Sequence, residues 1–345
     1  MQGTISPIKF EKLVEGTVEA LPKRTKVVIV RRFGLKNGKK DTLDAIGKDY
    51  GITRERVRQV ENDGLGQLKR PAVLSRLAPA VEYLQDHFAA HGHVRAEERI
   101  LGHLSGEEHP HPGRQAIFFV LMLADPFLRE TENDQYHAHW VTREEGRERA
   151  YALLQRLAEK FSQQPHQTLS HDDVLSSARE YASLEDAVAQ SYLEISKHIK
   201  SNVFGEYGLA EWPEVSPRGV RDRAYLVVHR NKKPLHFSEI ADLINEAKFT
   251  DRRAYVQTVH NELIKDKRFV LVGRGLYALS EWGYAPGTVR EVLKQVLQDR
   301  GPLTKDEVLA ETLKRRVVRP NTILLNLQTS DAFTKLEDGR YALAA

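Results

Sequence analysis

The chain has 345 residues, with 41% apolar and 29% charged side chains and a formal charge of +4. That balance excludes a disordered chain, and the length accommodates several small domains, each with its own core. Cysteine is absent, which excludes a disulfide framework and a thiolate zinc site and makes the cytoplasm the default compartment. The opening "MQGTISPIKFEKLVEG" lacks the apolar core of a secretory leader, and the longest apolar run, "AIFFVLMLA", is too short to span a bilayer, so no membrane association is expected.

Charge is divided unevenly. Residues 1–71 hold 16 Lys/Arg against 9 Asp/Glu, residues 72–217 hold 13 against 23, residues 218–283 hold 13 against 8, and residues 284–345 hold 10 against 8. Two basic blocks flanking an acidic one suit a polyanion-binding protein with a separate protein-contact region. Within 8–35, Phe10, Leu13, Val14, Val18 and Leu21 recur near helical spacing until Pro22 breaks the pattern, and "RTKVVIVRRFGL" resumes it up to Gly34.

Residues 41–71 carry two short amphipathic patterns around a glycine. Leu43, Ile46 and Tyr50 give the first helix a buried face, Gly51 permits the turn, and Ile52, Val57, Val60 and Leu65 give the second its own. This is helix-turn-helix spacing. Thr53 suits the cap of a recognition helix over 53–70, and Arg54, Glu55, Arg58 and Gln59 share its outward face near the end that enters a major groove. Arginine pairs with guanine O6 and N7, glutamate accepts from cytosine N4, and glutamine pairs with adenine.

The stretch "LVEGTVEALPKRTKVVIVRRFGLKNGKKDTLDAIGKDYGITRERVRQVENDGLGQLKRP" resembles region 4 of bacterial housekeeping sigma factors, the sigma-seventy family, over about residues 8–71. The string "ITRERVRQVE" carries the likeness to that family's recognition helix. The resemblance implies that Arg54, Glu55 and Gln59 read the −35 promoter element, that Arg58 makes further DNA contacts, and that the domain docks on the RNA polymerase flap. Lys36, Lys39, Lys40 and Lys48 are candidates for phosphate contact on charge alone. The chain departs from the family at Asn62, Asp63, Gly64, Gly66 and Gln67, where the family has alanines and basic residues. Two glycines cost a helix about 0.5–1 kcal/mol each relative to alanine, so the later turns are expected to fray. Nothing resembles the aromatic-rich sigma region that melts the −10 element, so a complete sigma factor is not expected.

Beyond Pro79 one order recurs: an amphipathic helix, an Asp followed shortly by Phe, a short apolar stretch, a turn, and a Tyr with alternating residues. It appears in "MLADPFLRETENDQYHAHW", "LIKDKRFVLVGRGLYALSEW" and "LQTSDAFTKLEDGRYALA", with a weaker form in "IKSNVFGEYGLAEW". Tyr136, Tyr207, Tyr277 and Tyr341 lie 71, 70 and 64 residues apart, too far for a solenoid repeat. Ahead of each hairpin stand the apolar pairs Val94/Ile100, Leu169/Val174, Leu235/Ile240 and Leu303/Val308, with Ser170, Ser238 and Thr304 as expected N-caps. Each unit therefore reads helix, short strand, helix, helix, hairpin, the order of a winged helix.

The expected fold is mainly α with small β-hairpins, multidomain, a helix-turn-helix followed by tandem winged-helix units. The segments are 1–75 (helix-turn-helix), 76–143 (winged-helix-like), 144–217 (divergent, helical or winged-helix-like), 218–284 (winged helix) and 285–345 (C-terminal winged-helix-like). Residues 219–284, through "LHFSEIADLI", "TVHNELIKD" and "FVLVGRGLYAL", resemble the HARE-HTH domain of the delta subunit of Gram-positive RNA polymerase, some restriction enzymes and chromatin-associated proteins. That resemblance leaves both DNA contact and protein docking open. Val256, Val259 and Leu263 are expected to form the buried side of its third helix, Arg253, Gln257, Asn261 and Lys265 a groove-facing strip, and Arg274 the wing tip.

Eight of the fourteen histidines lie between His87 and His139, paired as His91/His93, His109/His111 and His137/His139. Alternating histidines can chelate zinc, but without cysteine they read as solvated surface, and no metal or cofactor is expected. No phosphate loop, nucleophile elbow or metalloprotease helix is present, so an enzyme is not expected. The sequence thus points to a cytoplasmic, nucleoid-associated DNA-binding transcription factor whose partners are double-stranded DNA and the RNA polymerase core. The competing reading is a delta-like polymerase-associated interaction protein without sequence-specific DNA reading.

Overall fold

The computed structural model describes residues 8–344; the first seven residues, which begin the stretch where no leader was expected, lie outside the described residues. The chain forms two compact units, residues 8–200 with 207–210, and residues 201–206 with 211–344. It is mainly helical with small antiparallel strand pairs, as the sequence pattern predicts.

Unit 1 begins with α1 (Phe10–Val18), α2 (Lys23–Phe33), α3 (Leu43–Tyr50) and α4 (Arg54–Leu68). Pro22, which lacks an N–H to waste, stands at the N-cap of α2, and Gly34 closes that helix in the left-handed conformation. Thr42 caps α3 by accepting from the Ala45 N–H at 3.1 Å, and Thr53 caps α4 by accepting from the Arg56 N–H at 3.2 Å. Between them Gly51 takes φ +61°, which turns the chain through its left-handed conformation and lets the Ile52 N–H reach the Gly47 carbonyl at 3.0 Å. Val28, Ile46 and Val57, each 1% exposed or less, form the small core of this helix-turn-helix. Tyr50, expected in that core, is 38% exposed, because the helix ends there and its ring turns out beneath the Arg24 guanidinium, 5.9 Å from the ring centre.

After α5 (Pro71–Leu74), the chain runs through α6 (Ala78–Ala89), β1 (Val94–Ala96), α7 (Glu97–Ser105), α8 (Pro112–Leu123), β2 (Leu128–Glu130) and β3 (His139–Val141), with the three strands in the order β1-β3-β2. It continues through α9 (Glu144–Gln163), α10 (His171–Ala182), α11 (Asp186–Ile195), β4 (Ile199–Ser201) and β5 (Tyr207–Leu209). A single bridge, Leu169 to Tyr207, replaces the first strand of this second repeat. The apolar core is continuous across residue 75: Phe10, Val14, Val18, Leu21, Ile29 and Leu68 join Leu84, Phe88, Ile117, Phe119 and Trp140. Helix α11 closes on β1 through Tyr192 Oη donating to the Gly92 carbonyl at 2.9 Å, Ser191 Oγ donating to the Val94 carbonyl, and the half-buried pair Arg95–Glu194 at 3.1 Å.

Unit 2 contains α12 (Val220–Asn231), β6 (Leu235–His236), α13 (Phe237–Glu246), α14 (Val256–Lys265), β7 (Phe269–Leu271) and β8 (Leu276–Leu279), with strand order β6-β8-β7. Then come α15 (Val289–Arg300), α16 (Lys305–Arg315), α17 (Pro320–Thr329), β9 (Phe333–Lys335) and β10 (Tyr341–Leu343). The first set packs around Val228, Leu235, Ile240, Val259, Leu263 and Tyr277, the second around Leu293, Leu297, Val308, Ile323 and Tyr341. The Val317 N–H donates to the Val272 carbonyl at 3.1 Å and the Ala285 N–H to the Arg315 carbonyl at 2.9 Å, which stitch the two sets together.

The helix–strand–helix–helix–hairpin order therefore recurs four times, the first strand reduced to a single bridge in the second and fourth repeats, with one difference of register. Leu235 pairs with Tyr277, Leu303 with Tyr341 and Leu169 with Tyr207, but in the first repeat Val94 pairs with Val141. Tyr136 is thus not the counterpart of the other tyrosines. A longer connection between β2 and β3 displaces it, and its ring stacks on Tyr151 at 4.1 Å and 3° instead. Ser170 and Thr304 cap α10 and α16 in reciprocal capping boxes. Ser238 does not cap α13; His236 does, its Nδ1 accepting from the Ser238 N–H at 3.3 Å, because β6 hands over to the helix two residues earlier.

Candidate nucleic-acid interface

Helix α4 buries Val57, Gly64 and Leu68 and turns its first two turns outward. Arg54, Glu55, Arg58 and Gln59 are all exposed. Arg58 donates from Nε and Nη2 to the two Glu55 carboxylate oxygens at 2.9 and 2.7 Å, and this two-pronged bond holds the Glu55 carboxyl below the usual glutamate range. Arg56 Nη1 donates to Gln59 Oε1 at 3.0 Å. Arg56 is exposed on the same turn, yet it lies further round the helix than the face counted from Arg54 and Arg58, which is why spacing alone passed over it.

The expected fraying of α4 does not occur: the helix runs unbroken for 15 residues. Gly64 is a packing residue, since a Cβ there would stand 2.7 Å from Thr25 Cγ2 and 3.1 Å from Ile29 Cγ1 on α2. The absence of a side chain lets α2 and α4 approach, and that contact offsets the glycine's helix cost.

Lys36, Lys39 and Lys48 are exposed on the α2–α3 connection and on α3. Lys40 is placed differently: its ammonium lies 4.0 Å from the centre of the Phe118 ring, and desolvation there lowers its pKa. Three basic residues of α2 are neutralised within the fold, Lys26 by Glu19, Arg31 by Asp41 and Asp49 at 2.6 and 2.7 Å, and Arg32 by Glu61 at 3.2 Å. The outward charge of this region accordingly falls to α4, to Lys23 and Arg24, to Lys69 and Arg70, and to the exposed Lys36, Lys39 and Lys48.

In unit 2, Gln257, Asn261 and Lys265 are exposed on α14, Gln257 Nε2 donating to Asn261 Oδ1 at 3.2 Å, and Arg274 is exposed in the β7–β8 turn. Arg253, expected to open the same strip, is exposed in the loop ahead of the helix, because the chain turns helical only at Val256. Val256, expected on the buried side, is 40% exposed, because it opens the helix before the first turn meets the core. Tyr255 and Ile264 are also exposed, at 69% and 63%.

The histidines are less solvated than their pairing suggests. His139 is fully buried, its Nδ1 2.7 Å from the His137 carbonyl and Nε2 3.0 Å from Tyr151 Oη. His87 stacks on His91 at 4.3 Å and lies 5.6 Å from His103, and burial pushes the His87 imidazole down to about 3. His103, His109 and His137 are exposed. Among the described residues no three histidine or carboxylate side chains are grouped to hold a metal ion, and no helix is long and apolar enough to cross a membrane.

An N-capped helix presenting arginine, glutamate and glutamine from its first turns, behind a glycine-hinged helix, is the arrangement of a DNA-reading helix-turn-helix. Residues 18–70 match the family described as Sigma-70, region 4. The chain is similar to RNA polymerase sigma factor SigA of Bacillus sp, 39% identical over 73 residues, which are 21% of this chain and 19% of that protein. RNA polymerase sigma factor RpoS of Coxiella burnetii is 42% identical over 65 residues, 19% of this chain and 18% of its own. RNA polymerase principal sigma factor HrdD of Streptomyces griseus is 38% identical over 71 residues, 21% of each chain. The chain thus spans about a fifth of the length of the curated relatives it matches.

Proposed function

We propose that the protein is a DNA-binding transcription factor that reads promoter DNA through the 53–70 recognition helix and acts with the RNA polymerase core in initiation. The observation that carries this reading is the joint exposure of Arg54, Glu55, Arg58 and Gln59 at the capped end of α4, inside the segment that matches Sigma-70, region 4. Lys36, Lys39 and Lys48 would hold phosphates, giving an affinity that falls with salt, while the α4 side chains discriminate bases. The four repeated units are read as winged helices, the third HARE-HTH-like, with Arg253, Gln257, Asn261, Lys265 and Arg274 as a second DNA-contacting surface. The reading places the protein with the nucleoid in the cytoplasm and needs neither cofactor nor catalysis.

Selection of binding sites from randomised duplexes tests it. The wild type is expected to enrich one motif, and an Arg54→Ala/Glu55→Ala variant to lose about ten- to hundredfold on that motif. No enriched motif from the wild type would instead favour a delta-like, polymerase-associated interaction protein. The exposed Tyr255 at the N-cap of α14 and Ile264 on the helix, apolar surface that a protein partner would cover, are the observation on that side.

A further inference from the structure

At the C-terminal end of α14, an open cleft of about 690 Å³ is lined by Arg218, Arg221, Lys265, Lys267 and Arg268 against Asp222 and Asp266. Arg268 is neutralised, bonded to Asp266 at 2.6 Å and Asp222 at 2.8 Å. Arg221 and Lys265 share one carboxylate, that of Glu262, at 3.1 and 3.6 Å. Arg218 and Lys267 are exposed, and their side chains have no carboxylate partner among the described residues. Five cations thus face three carboxylates, two of which are committed to Arg268, and the cleft keeps a positive surplus.

Lys265 belongs both to this cleft and to the exposed strip of Gln257 and Asn261 on α14. A run of polar donors that opens into a cationic concavity fits an extended row of phosphates. Its charged lining and its openness to solvent do not suit a small neutral ligand, and its charge does not suit an apolar helix. We propose that this cleft binds the phosphodiester backbone of duplex DNA, with Arg218, Arg221 and Lys267 on the phosphates and Glu262 as the internal counter-ion that Arg221 leaves. The proposal rests on reading the α14 strip as a nucleic-acid face and is independent of base reading by α4. The chemistry recognised is the phosphate oxyanion, which free phosphate also presents.

The test uses the full chain and a fluorescent duplex of scrambled sequence titrated across salt. An Arg218→Gln/Arg221→Gln/Lys267→Gln variant is expected to bind about tenfold or more weakly at low salt, with the log–log salt slope reduced by roughly 2–3. The triple variant is expected to keep its preference for a selected site, which Arg54→Ala/Glu55→Ala loses, so the two readings fail separately. Glu262→Gln, which frees Arg221 and Lys265, is expected to bind several-fold more tightly, a gain that misfolding would not produce. An unchanged slope in the triple variant overturns the proposal. So does unchanged duplex binding together with inorganic phosphate raising the Tm of the wild type but not of the triple variant, which would assign the cleft to free phosphate.

Discussion

Helices α8 and α14 occupy the same place in the repeated order, third helix before the hairpin, and meet opposite surroundings. Every residue of α8 is buried or half-buried, its "AIFFVLML" closed in by α1, α7 and the rest of the unit 1 core. Helix α14 buries only Val259 and Leu263 and leaves Gln257, Asn261 and Lys265 to solvent. Helix α11 resembles α8, since Val188–Ile195 exposes nothing. One architecture thus serves as scaffold in unit 1 and offers a free polar surface in unit 2, and the outward positions of the third helix decide which.

The largest effect expected from this contrast is on stability. Phe119, fully buried with its ring edge-on to Phe33 at 4.9 Å, should cost about 3–5 kcal/mol when truncated to alanine. Gln257→Ala should stay within about 0.5 kcal/mol. Denaturant titration of both variants checks this, and similar midpoints would remove the distinction between the two helices. A second probe of the unit 1 interior is pH. The His87 imidazole is held neutral, its pKa pushed from 6.5 to about 3 by burial. The stability linked to it is therefore complete above pH 6.5 and is lost as the pH falls towards about 3, at roughly 1 kcal/mol per pH unit. Tm followed from neutral to mildly acid pH should decline, and His87→Phe should flatten that decline; parallel profiles would show that another group carries it. The smallest effects concern the two glycines of α4. Gly64→Ala should destabilise by about 1–2 kcal/mol through overpacking against Thr25. Gly66→Ala, where a Cβ meets nothing within 4 Å, should stabilise by about 0.5–1 kcal/mol. Shifts of the same sign would break the assignment of Gly64 to helix packing.

The presentation of α4 was legible because it depends on local rules: a threonine cap, a left-handed glycine turn and a helical apolar period. The order of elements in the four repeats was legible for the same reason. What escaped the sequence is set by contacts distant along the chain. Gly64 reads as a weak helix position until α2 is seen lying against it. Tyr136 matches the other tyrosines by spacing, but register in a sheet is fixed by pairing, and an extended turn moved the pairing residue to Val141. Lys40 reads as a free cation until Phe118, far along the chain, is found beneath it. The concealment of α11 leaves no local trace, since it depends on Gly92, Val94 and Arg95 of another repeat.

Helix α1 and the rear of α2 and α4 contribute Phe10, Val14, Val18, Leu21, Ile29 and Leu68 to a core completed by residues beyond 76. A fragment cut at the end of the helix-turn-helix would bare that whole greasy flank to water, so it should clump or melt. Transplanting the reading head into another scaffold would require carrying α6, α7 and α8 along with it.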